Sequence, residues 1–98
     1  MITLDEFIKT LPKHLCDEID DSNNYYCMAV EAKECGNMRM ADCLFEISKD
    51  EYTHAKFIHD VLISKGMPIP DDVACKWKAI HERAMHIYPS VPTHMYDI

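Results

Sequence analysis

Three side chains that can ligate a metal ion, Glu18, Glu51 and His54, fall at related positions in this 98-residue sequence. Glu51 and His54 are three residues apart, so on a helix both side chains leave the same face. They interrupt an apolar stripe at heptad spacing, which consists of Met40, Leu44, Ile47, Glu51, His54, Ile58 and Val61. An ionised carboxylate among apolar neighbours is costly unless it is paired or binds a metal ion. The pattern therefore predicts a metal site or a buried polar pair.

Glu18 interrupts a second apolar stripe, which consists of Leu11, Leu15, Glu18, Ser22, Tyr25, Ala29 and Ala32. The two stripes flank Gly36, and a helical hairpin that turns there brings together residues whose numbers average about 36. The numbers of Glu18 and His54 average 36, and those of Glu18 and Glu51 average close to it. Asp21 and Glu51 also average 36, so Asp21 either replaces or joins Glu18. The hairpin is expected to place two carboxylates and one imidazole at one level.

The elements that must position these residues are helical. The chain has two glycines and no alternation of apolar and polar residues of the kind that strands show. Pro12 suits a helix start, and Gly36 and Gly66 suit helix ends. We predict an all-α fold in one domain over residues 1–98, an antiparallel helical hairpin with short flanking helices. Its predicted segments are a short helix 4–10, hairpin helices 12–35 and 37–65, a C-terminal helix 71–88 and an irregular tail 89–98.

One hairpin supplies two helices, and a four-helix bundle needs four. We therefore expect a homodimer, or a larger even oligomer, in which a two-fold partner supplies the other pair. The assembled centre then holds four glutamates and two histidines, the arrangement of di-iron carboxylate bundles. Four carboxylates balance the charge of two divalent iron ions. The predicted cofactor is iron, two ions per dimer, with zinc or manganese as alternatives.

Three further residues are candidates for this site. The first is Asp21, which either replaces or joins Glu18. Tyr25 either hydrogen-bonds a ligating carboxylate or belongs to an aromatic core. Glu46 lies roughly 140° around the helix from Glu51, where it is either a carboxylate on the approach to the site or part of a solvated face. No catalytic residue separate from the metal ligands is predicted. His14, His59 and His94 are expected at the surface.

The stretch from Glu18 to Lys56, 39 of 98 residues, resembles one helical hairpin of rubrerythrin-type ferritin-like proteins. The matching residues are Glu18, Tyr25, Ala29, Ala32, Gly36, Leu44, Glu46, Glu51, His54, Ala55 and Lys56. The resemblance implies a ferritin-like fold, a carboxylate-bridged di-iron site and ferroxidase or peroxidase-type chemistry. It assigns metal binding to Glu18, Glu51 and His54.

The chain departs from that family in two ways. Family members usually hold both hairpins in one chain, whereas this chain has one, as in the short, encapsulated-ferritin form. The site would then form between subunits. The chain also lacks the four-cysteine rubredoxin module, so any electrons for repeated turnover would come from an external donor.

Composition and charge narrow the remaining function classes. The formal net charge is −7 and the sequence has no cluster of Lys and Arg, so nucleic acid and anionic membranes are not expected partners. No apolar run approaches the roughly 20 residues of a membrane span. Five cysteines without a Cys-x-x-Cys pair predict free thiols, buried as small apolar residues, in a reducing compartment, the cytoplasm. The start of the sequence lacks the pattern of a signal peptide.

An alternative from another class of protein uses the same residues. Glu18, Glu51 and His54 would form buried hydrogen-bonded pairs across a dimer and set its register without a metal. In that case the protein is a helical dimerisation or structural module, either metal-free or holding zinc without redox chemistry.

Overall fold

A computed structural model describes residues 1–87, and they form three α-helices with no strand among them. The helices are α1 (Leu4–Glu34), α2 (Met38–Ser64) and α3 (Asp71–Ile87). The predicted all-α class is confirmed. The predicted tail 89–98, the predicted helical residue Tyr88 and the predicted surface residue His94 lie outside the described residues.

The first helix is continuous through Pro12, where two separate helices, 4–10 and 12–35, were predicted. Proline in a helix interior removes one backbone hydrogen bond and costs about 3 kcal/mol. Ile8, Leu11 and Leu15 lie buried on both sides of Pro12, in one core cluster. Burying each such side chain contributes about 1.5–3 kcal/mol, which offsets the cost of the proline and keeps one continuous helix.

Helices α1 and α2 form an antiparallel hairpin whose turn contains Gly36 with φ +80°. Ser22 and Ser48 are fully buried where the two helices meet. The Ser22 hydroxyl donates to the Ser48 carbonyl oxygen at 2.8 Å, and the Ser48 hydroxyl donates to the Ser22 carbonyl oxygen at 2.9 Å. This reciprocal pair sets the register of the hairpin about one turn from Glu18 and Glu51.

Replacing Ser22 with alanine is expected to lower the free energy of unfolding by about 1–2 kcal/mol, because a buried cross-helix hydrogen bond is lost. Denaturant titration followed by circular dichroism measures the change. Asn24→Ala, at an exposed position of the same helix, is the control and should change stability by less than about 0.5 kcal/mol. Equal losses in the two variants would contradict the role of the serine pair.

The third helix packs across one face of the hairpin with a buried stripe of Val73, Trp77, Ile80 and Ala84, as its sequence pattern predicts. It meets a core that includes Leu15, Ile19, Tyr52 and Leu62. In the part of the chain described here, the opposite face of the hairpin has no helix packed over it.

This arrangement changes which side of α2 is interior. The buried residues of α2 are Ala41, Ser48, Tyr52, Ala55, Lys56 and Leu62. The stripe predicted to be interior is only partly so, since Met40, Ile47 and His54 are exposed. The physical reason is that α1 and α3 both pack against the side of α2 that lies next to the predicted stripe.

The prediction that the cysteines are buried is wrong. Cys27, Cys35, Cys43 and Cys75 are exposed and Cys16 is half-buried, all five as free thiols. A core shared by only three helices covers a narrow stripe of each one, and the four exposed cysteines fall outside those stripes. Within residues 1–87, none of the helices is long and apolar enough to cross a membrane.

Candidate metal centre

Glu18 of α1 and Glu51 and His54 of α2 converge on the side of the hairpin away from α3. Each offers one ligand atom, and these three atoms lie within 4.8 Å of one another. Over residues 1–87 this is the only group of three or more His, Cys, Asp or Glu side chains with such spacing. The three predicted ligands are therefore brought together. Asp21, the alternative ligand from α1, is exposed and does not belong to the cluster.

The carboxylate of Glu18 has a buried oxygen atom that no neighbouring group satisfies. Its Oε2 atom is buried and has no hydrogen-bond partner. His54 Nδ1 lies 3.6 Å from that oxygen, which is beyond hydrogen-bond length. Buried polar atoms are normally satisfied, so an orphaned carboxylate oxygen beside an imidazole and a second carboxylate fits a site for a cation. The chemistry of the donor set, oxygen with one nitrogen, is compatible with iron, manganese or zinc.

The pKa of Glu51 depends on the neighbouring carboxyl group of Glu18. A hydrogen bond with Glu18 raises the pKa of Glu51 from 4.5 to about 7, aided by partial burial and by the negative charge of Glu18, while His54 opposes the shift. Two neighbouring carboxyl groups disfavour double ionisation, so one retains its proton. A divalent cation would relieve the same repulsion.

The metal-free protein is expected to lose stability as the pH rises from about 4.5 to about 7. Because the pKa of Glu51 is raised to about 7 on folding, the folded state in this window holds a proton that the unfolded state has lost. The stabilisation is complete below pH 4.5 and disappears as the pH passes 7. Thermal unfolding across pH measures it, and Glu51→Gln, which does not titrate, should lack this part of the slope. Superimposable pH profiles would contradict the shared proton.

Tyr25 and Glu46, the other two candidate site residues, do not belong to the cluster. Tyr25 is partly buried on the same side of α1 as Glu18, about 10 Å further along the helix axis. Glu46 is exposed and pairs with Lys49 at 3.3 Å. Its 69% exposed side chain agrees with the solvated-face interpretation.

The cluster lies within a partly apolar surface, here called the open face of the hairpin. Its exposed apolar members are Phe7 and Met28 of α1 and Met40, Ile47 and Phe57 of α2, each 39–53% exposed. A cavity of about 460 Å³, lined by Phe7, Leu11, Phe57 and neighbouring side chains, reaches Glu18. Several exposed apolar side chains around a polar centre are typical of an interaction site.

A second group of reactive side chains lies between α2 and α3, and sequence reasoning did not find it. The Tyr52 hydroxyl is 2.8 Å from His81 Nδ1, and Trp77 stacks on Tyr52. His59, predicted at the surface, is partly buried with its ring 4.4 Å from that of Trp77. Burial lowers the pKa of His59, partly opposed by a hydrogen bond with Asp60. The sequence signal was the i, i+4 spacing of Trp77 and His81, which becomes informative only once α3 is placed against α2.

No protein-family model, curated protein or solved structure matches this chain. The fold and the site define an all-helical protein with a Glu-Glu-His cluster on an open face.

Proposed function

We propose that the protein is a homodimeric, ferritin-like four-helix bundle that binds two iron ions between its subunits and carries out ferroxidase or peroxidase-type chemistry there. The observation that carries the proposal is the convergence of Glu18, Glu51 and His54 within 4.8 Å. Two carboxylates and an imidazole from each of two chains make the donor set of di-iron carboxylate bundles.

The position of the cluster supports a site shared between two chains. His54 is 56% exposed and lies on the open face, so a partner placed there would cover it. One chain offers three ligands, and a two-fold copy brings the same three ligands to the other side of the interface. The four carboxylates then neutralise two divalent ions in a centre with apolar surroundings.

The size of the open face also suits a second copy of the hairpin. Two adjacent helices as long as α2 (27 residues) present about 40 by 20 Å, or about 800 Å². That area is typical of one side of a stable protein interface. A second copy would also bury the exposed apolar residues Phe7, Ile47 and Phe57, whose removal from water stabilises association.

The residues of the site have separate tasks in this proposal. Glu18 and Glu51 supply negative charge and oxygen ligands, and His54 supplies a neutral nitrogen ligand that suits ferrous iron. Glu51 must release its proton when a cation binds, so binding strengthens as the pH rises towards about 7. When bound, ferrous iron supplies electrons for the reduction of dioxygen or peroxide. An external donor would return them in repeated turnover.

Metal content and mass in solution test the proposal together. The protein is expressed with iron and purified without chelator, then examined by elemental analysis and light scattering. We expect about one iron per chain on a dimer or larger even oligomer. Oxygen consumption after anaerobic loading with ferrous iron then tests the oxidase reaction. A dimer that remains empty when offered ferrous iron anaerobically would refute metal binding, and a monomer would refute the shared site.

One observation favours a second candidate function. The raised pKa of Glu51 beside Glu18 supports an arrangement in which a shared proton, without a metal, holds the two carboxyl groups together. The cluster would then fix the register of a metal-free dimer, or hold zinc without redox chemistry. The combined replacement Glu18→Leu/Glu51→Leu separates the candidates, because exchanging both members of a structural polar pair for apolar residues is often neutral or stabilising. The iron proposal requires that this variant lose its metal.

A further inference from the structure

We propose that Tyr52 is a redox-active residue that gives one electron to an oxidant at the metal centre and passes its proton to His81. The proposal rests on the proposed function for the source of the oxidant. Tyr52 belongs to the opposite side of α2 from the open face, in a group of rings made by α2 and α3.

The short distance between Tyr52 and His81 suits proton transfer. Tyr52 is 1% exposed, and its Oη atom is 2.8 Å from His81 Nδ1. This length is that of a well-formed hydrogen bond, which the phenol donates when the imidazole carries its own proton on Nε2. A phenol that loses an electron becomes a strong acid, so oxidation requires an acceptor already in place. His81 supplies that acceptor without any rearrangement.

Aromatic stacking connects this pair to the surface of the protein. The Trp77 ring is parallel to that of Tyr52, with an interplanar angle of 2° and centroids 5.7 Å apart. Trp77 also stacks on His81 at 5.2 Å and on His59 at 4.4 Å. The His59 side chain is 21% exposed, so this ring is where the stack reaches solvent. A series of stacked rings is a short route for an electron between the exterior and Tyr52.

Tyr52 is also close to the metal centre along the chain. It follows Glu51 directly, and consecutive Cα atoms are about 3.8 Å apart. The two side chains diverge by about 100° around α2, so Glu51 faces the cluster while Tyr52 faces α3. The proposed ligand Glu51 and the electron donor Tyr52 are therefore neighbours in the chain.

The need for the donor follows from counting electrons. Reduction of hydrogen peroxide to two waters takes two electrons, and the proposed site would supply only one of them while a single ferrous ion occupies it in place of two. Tyr52 supplies the second: its O–H bond breaks, the proton moves to His81 Nδ1, and a neutral phenoxyl radical remains. Peroxide, one ferrous ion, Tyr52, neutral His81 and two solvent protons thus become two waters, one ferric ion, the Tyr52 radical and protonated His81. An external one-electron reductant, with the proton from His81, restores the phenol.

The other described tyrosines are less suited to this role. The guanidinium of Arg83 lies over the Tyr26 ring, 4.3 Å from its centroid. A fixed positive charge at that face makes removal of an electron from the ring harder. Tyr25 lies on the side of α1 that faces away from the stack and provides a matched control.

The first experiment needs no metal. The metal-free protein is oxidised by flash photolysis of a ruthenium polypyridyl complex with persulfate, and radicals are trapped by freezing and detected by electron paramagnetic resonance. We expect a tyrosyl signal that is lost in Tyr52→Phe, retained in Tyr25→Phe and lost or shifted to tryptophan in His81→Phe. Both phenylalanine replacements in the stack keep an aromatic ring, and circular dichroism confirms that the variants fold. A tyrosyl signal unchanged by Tyr52→Phe would overturn the proposal.

The second experiment separates this proposal from the proposed function. Protein loaded anaerobically with one ferrous ion per dimer is mixed with hydrogen peroxide, and its iron content is measured on the same sample. Bound iron together with the Tyr52 radical supports both proposals. Bound iron without a Tyr52 radical overturns the role of Tyr52 and leaves the metal site intact. Failure to bind iron refutes the metal site and, with it, the delivery of an electron by Tyr52.

Discussion

Replacing Glu51 with alanine is expected to reduce bound iron from about two ions per dimer to none. Glu51 offers one of the three ligand atoms that lie within 4.8 Å of one another. Its removal from both chains leaves two carboxylates to balance two divalent ions, so the centre loses ligands and charge neutrality together. Elemental analysis after anaerobic ferrous loading and gel filtration measures the loss. His54→Ala is expected to give the same result.

Glu46→Ala is the matched control for this experiment. It removes the same charge from the same helix, five residues earlier, at an exposed position that pairs with Lys49. Iron content should equal that of the unaltered protein. If Glu51→Ala keeps its iron, or if Glu46→Ala loses as much, Glu51 is not a ligand. The combined replacement Glu18→Leu/Glu51→Leu adds a stability readout, since a metal-free protein of unchanged or higher stability identifies a polar pair that is not needed for folding.

Replacing Phe57 with glutamate is expected to weaken dimerisation by at least about a hundredfold, or about 3 kcal/mol. Phe57 is 45% exposed in the chain alone and lies on the open face beside the cavity that reaches Glu18. A second hairpin packed there would bury the new carboxylate without a partner, which carries a large desolvation cost. Sedimentation equilibrium measures the dissociation constant.

Ile63→Glu is the control for the dimer interface. Ile63 is 59% exposed in the same helix. It follows His54 by nine residues, two and a half turns, and therefore points to the opposite side of α2. Its substitution should leave dimerisation unchanged. If both variants associate like the unaltered protein, the open face is not the interface. If both dissociate equally, the effect comes from added charge and not from position. Loss of iron in Phe57→Glu alone would link the dimer to the metal centre.

Local patterns in the sequence were sufficient for α2, α3 and the Glu-Glu-His cluster. Gly36 ends α1 because it adopts a positive φ, and Gly66, with φ +65°, follows α2 for the same reason. In an antiparallel hairpin the residue at a given distance before the turn meets the one at that distance after it. Counting from the turn therefore pairs Glu18 with His54 and Glu51. The apolar spacing of α3 alone predicts its buried stripe. These features depend on helix geometry and on one turn.

The tertiary structure decided what depends on neighbours from distant parts of the chain. The continuity of α1 at Pro12 depends on burial of Ile8 and Leu11 against the rest of the core, which outweighs the local cost of proline. The pairing of Tyr52 with His81 exists only because α3 lies against one side of α2. That placement also leaves Glu18, Glu51 and His54 on the open face, where Glu18 and not Asp21 belongs to the cluster. A helical period identifies the apolar side of each helix, but which side meets which partner is set by the packing free energy of the whole molecule.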